Sequence, residues 1–105
     1  MYTSILTFAE DLPRFAAAHE NALMGHDALF LLQMQDGPER YIRLESGRVT
    51  VCETAEKAPD CTVVAAEPVM LDIINGKLNP ALAILTGKVR IKGDKAKLMA
   101  LLKIL

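Results

Sequence analysis

The stretch from Asp60 to Leu105, DCTVVAAEPVMLDIINGKLNPALAILTGKVRIKGDKAKLMALLKIL, is punctuated so densely that few architectures accommodate it. Pro68 opens a helix that reaches Asn75, and Gly76 stops it. Asn79 then caps a second short helix that begins at Pro80 and ends at Gly87. A first-turn proline costs nothing there, because the N–H it lacks needs no partner. From Lys88 to Lys92 the chain alternates, Val89 and Ile91 on one side and Lys88, Arg90 and Lys92 on the other, the period of a strand with one wet face. Gly93-Asp94 caps a last helix carrying Leu98, Met99, Leu101, Leu102 and Leu105. Helices this short cannot pack one another fully. Nearly every inward position is Leu, Ile, Met, Val or Ala, and no acid, base or nucleophile is dedicated to that interior. Such a surface suits holding an apolar molecule better than breaking a bond.

Upstream, Leu12, Phe15, Ala16, His19, Ala22 and Leu23 fall on one stripe of an amphipathic helix, with Pro13 expected in its first turn and Gly25 at its end. Residues 1 to 9 read as an extension of that helix. Three strands follow as a meander: Ala28 to Gln35, Arg40 to Glu45 and Arg48 to Thr54, with turns beginning at Asp36-Gly37 and Ser46-Gly47. Ile42, Leu44, Val49 and Val51 are expected inward, and Arg43, Glu45, Arg48 and Thr50 outward. A loop from Ala55 to Pro59 leads to a fourth strand, Cys61 to Ala66. The order α-βββ-β-αα-β-α predicts one α+β domain over residues 1–105, a five-stranded sheet with helices.

A chain of 105 residues buries roughly two-thirds of its unfolded surface and builds a core without staples. Apolar residues make up 51%, more than a solid core of this size needs. The net charge of −1 gives nucleic acid no electrostatic handle. The N-terminus lacks the basic start and long apolar run of a signal peptide, and no stretch approaches the ~18 apolar residues of a membrane span. A cytoplasmic protein is expected. Cys52 and Cys61 lie on different strands without CxxC spacing and read as reduced, mostly buried thiols.

The strand Asp60-Cys61-Thr62-Val63-Val64, the helix closing on Asn75-Gly76-Lys77, the restart at Leu78-Asn79-Pro80 and above all Leu85-Thr86-Gly87-Lys88-Val89-Arg90-Ile91-Lys92-Gly93-Asp94 resemble the sterol carrier protein-2 (SCP-2) family of lipid-binding domains. The resemblance covers about residues 10 to 105 and is strongest in the second half. It implies a mixed sheet covered on one face by helices, with an apolar tunnel between them for fatty acyl chains, acyl-CoA, sterol-like or isoprenoid lipids. No Trp is present, and Phe30 and Tyr41 stand where many members carry an early aromatic. The short Ala55 to Pro59 loop and the missing peroxisomal tripeptide point to a stand-alone prokaryotic-type member.

On that reading the lipid-binding candidates are Phe15, His19, Phe30, Leu71, Ile74, Leu82, Leu85, Met99 and Leu102, and Lys88, Arg90 and Lys92 are candidates for an anionic headgroup or membrane surface. Arg43 and Arg48 extend the basic stripe across the same sheet face. The plain alternatives are ordinary core for the apolar set, a core-edge hydrogen bond for His19, and the solvated side of the sheet for the cations. No catalytic constellation, metal site or cofactor site is expected. Ser4 and Ser46 are the only serines and have no GxSxG context. His19 and His26 are seven residues apart, about 10.5 Å along a helix, too far to share one ion. The terminal helix, Asp94 to Leu105, is the expected gate. The expected partner is a small hydrophobic ligand, with transient contact to a membrane surface or a partner enzyme. A second reading makes the chain an accessory module that packs its apolar helices on a partner enzyme, for example in quinone or lipid metabolism, or on a second copy.

Overall fold

The computed structural model describes residues 2–102, and the side chains of residues 2–99. Five strands, β1 (Ala28–Met34), β2 (Glu39–Glu45), β3 (Arg48–Cys52), β4 (Cys61–Ala65) and β5 (Val89–Gly93), form one sheet in the order β3-β2-β1-β4-β5. All neighbours are antiparallel except β1 and β4, which run parallel at the centre. The helices are α1 (Ile5–Ala17), α2 (Glu20–Leu23), α3 (Glu67–Ile74), α4 (Pro80–Leu85) and α5 (Lys95–Leu102).

The registers sort the side chains cleanly. Phe30 pairs with Ile42 and Cys61, Leu32 with Val63, Leu44 with Val49, and Val63 with Ile91, so all of these share one face. That face is buried under the helices. Arg43 with Thr50, Tyr41 with Cys52, and Val64 with Arg90 form the open face. The two-residue β2–β3 turn needs positive φ at both positions, and Ser46 (53°) and Gly47 (78°) supply it. A Cβ at Gly47 would also strike Glu20, so the hairpin tip seats directly on α2.

The first helix differs from its sequence reading at both ends. It begins at Ile5, where the Ser4 hydroxyl accepts the Leu6 N–H at 3.2 Å. Residues 5 to 9 therefore do extend it, and Pro13 lies inside the helix, not in its first turn, leaving the Ala9 carbonyl without its usual donor. The helix stops at Ala17, and α2 starts afresh after His19. The buried stripe is consequently Ile5, Phe8, Ala9, Leu12 and Ala16, while His19 and Ala22 are exposed. A single helical period carried past Ala17 put them on the wrong side.

The second half keeps its punctuation. Glu67 and Pro68 open α3, and Gly76, at φ +78°, ends it with the Lys77 and Leu78 N–H groups returning to the Asp72 carbonyl. The Asn79 side chain accepts the Ala81 and Leu82 N–H groups at 2.8 and 3.3 Å, fixing the start of α4.

Candidate ligand-binding site

Helices α1, α3, α4 and α5 border the space over the sheet's buried face, and two hydrogen-bonded junctions help fix where they lie. At one, the Tyr2 N–H donates to Asn75 Oδ1 (2.8 Å) and the Asn75 amide returns a bond to the Tyr2 carbonyl (2.9 Å). The Ile5 N–H donates to the Glu67 carboxylate at 3.1 Å, so the approach to α1 is tied to both ends of α3. The other junction holds α5. Asp60 accepts the Leu29 N–H (2.8 Å) and pairs with Lys97 (3.6 Å), while its carbonyl accepts the Asp94 N–H (2.9 Å). Gly93, at φ +97°, has no room for a Cβ against the Asp60 carbonyl. The Leu29 bond, followed by Lys97 and Lys57, holds the Asp60 carboxyl below its ordinary range.

Between these anchors α3 and α4 do not close fully onto the sheet. A cavity of ≈ 90 Å³ remains, and every lining residue among those described is apolar. Its floor is Phe30, Leu32, Val63 and Ile91, and its roof comes from Leu12, Met70, Ile73, Ile84 and Leu98. An open depression of ≈ 590 Å³ adjoins it, sharing Phe8, Ile73, Ile74 and Pro80. Tyr2, Phe15, Lys77 and Leu78 rim this depression, so the cavity's open side lies between α1 and the α3–α4 turn. Among the described residues none of its lining belongs to α5; the expected gate, Asp94 to Leu105, lies partly outside the described side chains.

Of the candidates read from the sequence, Phe30 and Ile74 line the cavity, and Phe15, 39% exposed, rims its mouth. Leu71 is half-buried on α3 beside the lining positions. Leu82 (51% exposed), Leu85 (83%) and Met99 (56%) face outward, which corrects the expectation that they form an inner wall. The segment PALAIL is apolar all round, so its period offers no contrast; the inward positions are Ala83 and Ile84, while Pro80 is exposed where the cavity meets its mouth. On α5 the inward residue is Leu98, one position before Met99. The side chain of Leu102 lies outside those described. His19 borders a shallow surface dip made of Ala17 to Ala22, apart from the apolar cavity. Sequence reasoning missed Phe8 and Ile73; a 3-4 spacing from Met70 to Ile73 and Ile74 was the available signal for the latter.

Lys88, Arg90 and Lys92 are exposed, with Arg90 and Lys92 opposite Val64 and Thr62 on the open face. Arg43 shares that face but stands on β2, three strands and about 14 Å away. Arg48 lies on β3 at the opposite edge. The basic stripe is therefore confined to the β5 edge. Cys61 is buried in the covered face, and burial, then Asp94 and Asp60, push its thiol pKa up, so it is a poor nucleophile. Among the described residues no three His, Cys, Asp or Glu side chains are grouped to hold a metal ion, and no helix is long and apolar enough to cross a membrane.

The same arrangement recurs in solved structures. A palmitated SCP2L2 from Aedes aegypti superposes with a TM-score of 0.71 at 22% identity, covering 93% of this chain and 92% of that one. The stereoselective inverting sec-alkylsulfatase Pisa1 from Pseudomonas sp. gives 0.72 at 26% identity, over 82% of this chain but only 14% of the sulfatase. Sterol carrier protein 2 of Gallus gallus is 27% identical over 95% of this chain. The chain spans only 14–19% of the length of the curated relatives it matches. The model of the SCP-2 sterol transfer family matches residues 9–105, nearly the whole fold including the cavity's floor and roof. This chain belongs to the SCP-2 sterol transfer family.

Proposed function

We propose that the protein binds and transfers a hydrophobic lipid, a fatty acyl or isoprenoid chain in particular, within the space between the sheet and α1, α3 and α4, and performs no chemistry on it. The observation that carries this reading is the wholly apolar cavity, continuous with an open mouth. Among the described residues its wall presents no titratable side chain, which favours a carrier over a catalyst. The SCP-2 family membership supports the lipid class, and the palmitated relative supports an acyl ligand.

At ≈ 90 Å³ the apolar cavity is well under the ~300 Å³ at the low end for ligand pockets. The reading therefore includes an opening step. A chain enters at the mouth rimmed by Phe15 and Leu78, and the roof residues on α3 and α4 move away from the sheet as it advances. Burial drives affinity, each CH₂ contributing ~0.8 kcal/mol, so longer chains bind more tightly until the space is full. The two free thiols are consistent with a reducing cytoplasmic setting, which is part of the proposal.

Native mass spectrometry of protein purified without detergent, with solvent extraction of the same sample, tests this. A defined lipid near one per chain is the expected result. A bare monomer that takes up neither fatty acid nor quinone would refute the carrier role and turn attention to an accessory module.

A further inference from the structure

Leu82 and Leu85 stand three positions apart on the outward side of α4, and Leu85 is 83% exposed. On the same helix Ile84 roofs the cavity, and the exposed Pro80 borders both the cavity and its mouth. Two large leucines exposed three positions apart on a six-residue helix make a local apolar patch, the kind of surface that suits an apolar partner.

Its electrostatic setting indicates what that is. From Ile73 to Gly93 the chain carries Lys77, Lys88, Arg90 and Lys92 and no carboxylate, although the whole protein is net negative at −1. Lys77 precedes α4 and Lys88 follows it, while Arg90 and Lys92 lie on β5, the edge strand against which α4 packs. No ion pair among the described residues neutralises any of the four. Exposed leucines on α4, flanked by Lys77 and Lys88 and joined at the sheet edge by Arg90 and Lys92 from the open face, are complementary to an anionic bilayer, with an acyl interior beneath a negative headgroup layer.

We infer that the α4–β5 edge is a membrane-docking surface for anionic bilayers, with Leu82 and Leu85 entering the acyl boundary and Lys77, Lys88, Arg90 and Lys92 engaging headgroups. The inference builds on the carrier reading, because docking there brings the cavity's mouth beside the lipid it would load.

The chain has no Trp, so Leu85→Trp provides a lone reporter at an exposed position. Its emission should shift to the blue, and brominated lipids should quench it, on mixing with phosphatidylcholine/phosphatidylserine vesicles but not with pure phosphatidylcholine vesicles. Affinity for the anionic vesicles should fall roughly tenfold or more for each leucine in Leu82→Ser/Leu85→Ser. It should fall about fivefold for each cation removed in Lys88→Gln/Arg90→Gln/Lys92→Gln. Both sets of side chains are exposed, so the variants should keep the wild-type melting temperature. Fatty acid delivered in solution should bind Leu82→Ser/Leu85→Ser as it binds wild type, while uptake from vesicles is lost. Unchanged Trp emission, or equal vesicle binding by the serine variant, would overturn the inference. So would a self-association that shifts the Trp emission before vesicles are added. Vesicle insertion by a protein that takes up no lipid would uphold the docking surface and refute the carrier reading instead.

Discussion

Val63→Phe places a larger side chain in the cavity from its floor. Val63 lies on the covered face between Leu32 on β1 and Ile91 on β5, and all three border the space. Leaving ≈ 90 Å³ empty costs roughly 2 kcal/mol at ~24 cal/mol per Å³. A phenyl ring that occupies about half of it should stabilise the ligand-free protein by about 1 kcal/mol, raising Tm by roughly 4–8 °C for a chain of this size. A site without free volume would respond oppositely, since overpacking costs about 1–3 kcal/mol. The sign of the shift therefore decides the matter. The ring also takes the place of at least two ligand methylenes, so uptake should weaken by about tenfold or more. Calorimetry of delipidated protein gives the first quantity and titration with a fluorescent fatty acid the second. A lowered Tm together with undiminished uptake would refute both the cavity and its role.

Three further outcomes follow from the anchors around the site. Asp60→Ala removes a charged acceptor of the Leu29 N–H and the partner of Lys97, so it should cost about 2 kcal/mol and speed amide exchange in α5 before the sheet. Because the folded Asp60 carboxyl is held below its ordinary value of 3.8, its stabilisation is fully present above that value and lost as pH falls through the lower folded one. The wild-type advantage over Asp60→Ala should thus be flat from about pH 7 to 5 and shrink below about pH 4; a constant gap down to about pH 3 would contradict the assignment. Gly93→Ala forces a Cβ into the Asp60 carbonyl at φ +97° and should destabilise by more than about 2 kcal/mol, measured by urea unfolding. Asn79→Ala unties the two N–H groups at the start of α4, costing about 1 kcal/mol, with α4 exchanging first.

Much of the fold was legible because its signals are local. Gly76, Asn79-Pro80 and Gly87 act on the backbone at their own positions, so α3 and α4 fall within two residues of where the sequence puts them. Strand alternation is equally local, and Ile42, Leu44, Val49 and Val89 are buried as their spacing requires. Phe30 and Ile74 face the cavity as expected, because an aromatic in a central strand and an isoleucine on a punctuated helix leave little choice of face. His19 failed for the opposite reason. The break after Ala17 carries no glycine or proline, so nothing in the local chain announces that the period restarts.

By itself, the sequence determined the element order, the wet and dry sides of each strand and the apolar nature of the interior. These follow from backbone geometry and side-chain chemistry within a few residues. Only the tertiary structure decided the rest. It chose which side of the uniformly apolar α4 turns inward, because that depends on where β5 and α3 lie and not on any contrast within PALAIL. It confined the basic stripe to one edge by inserting β1 and β4 between β5 and Arg43. It also opened the cavity between α1 and the α3–α4 turn, since a void is the gap left where several packed surfaces fail to meet, and no single segment encodes it.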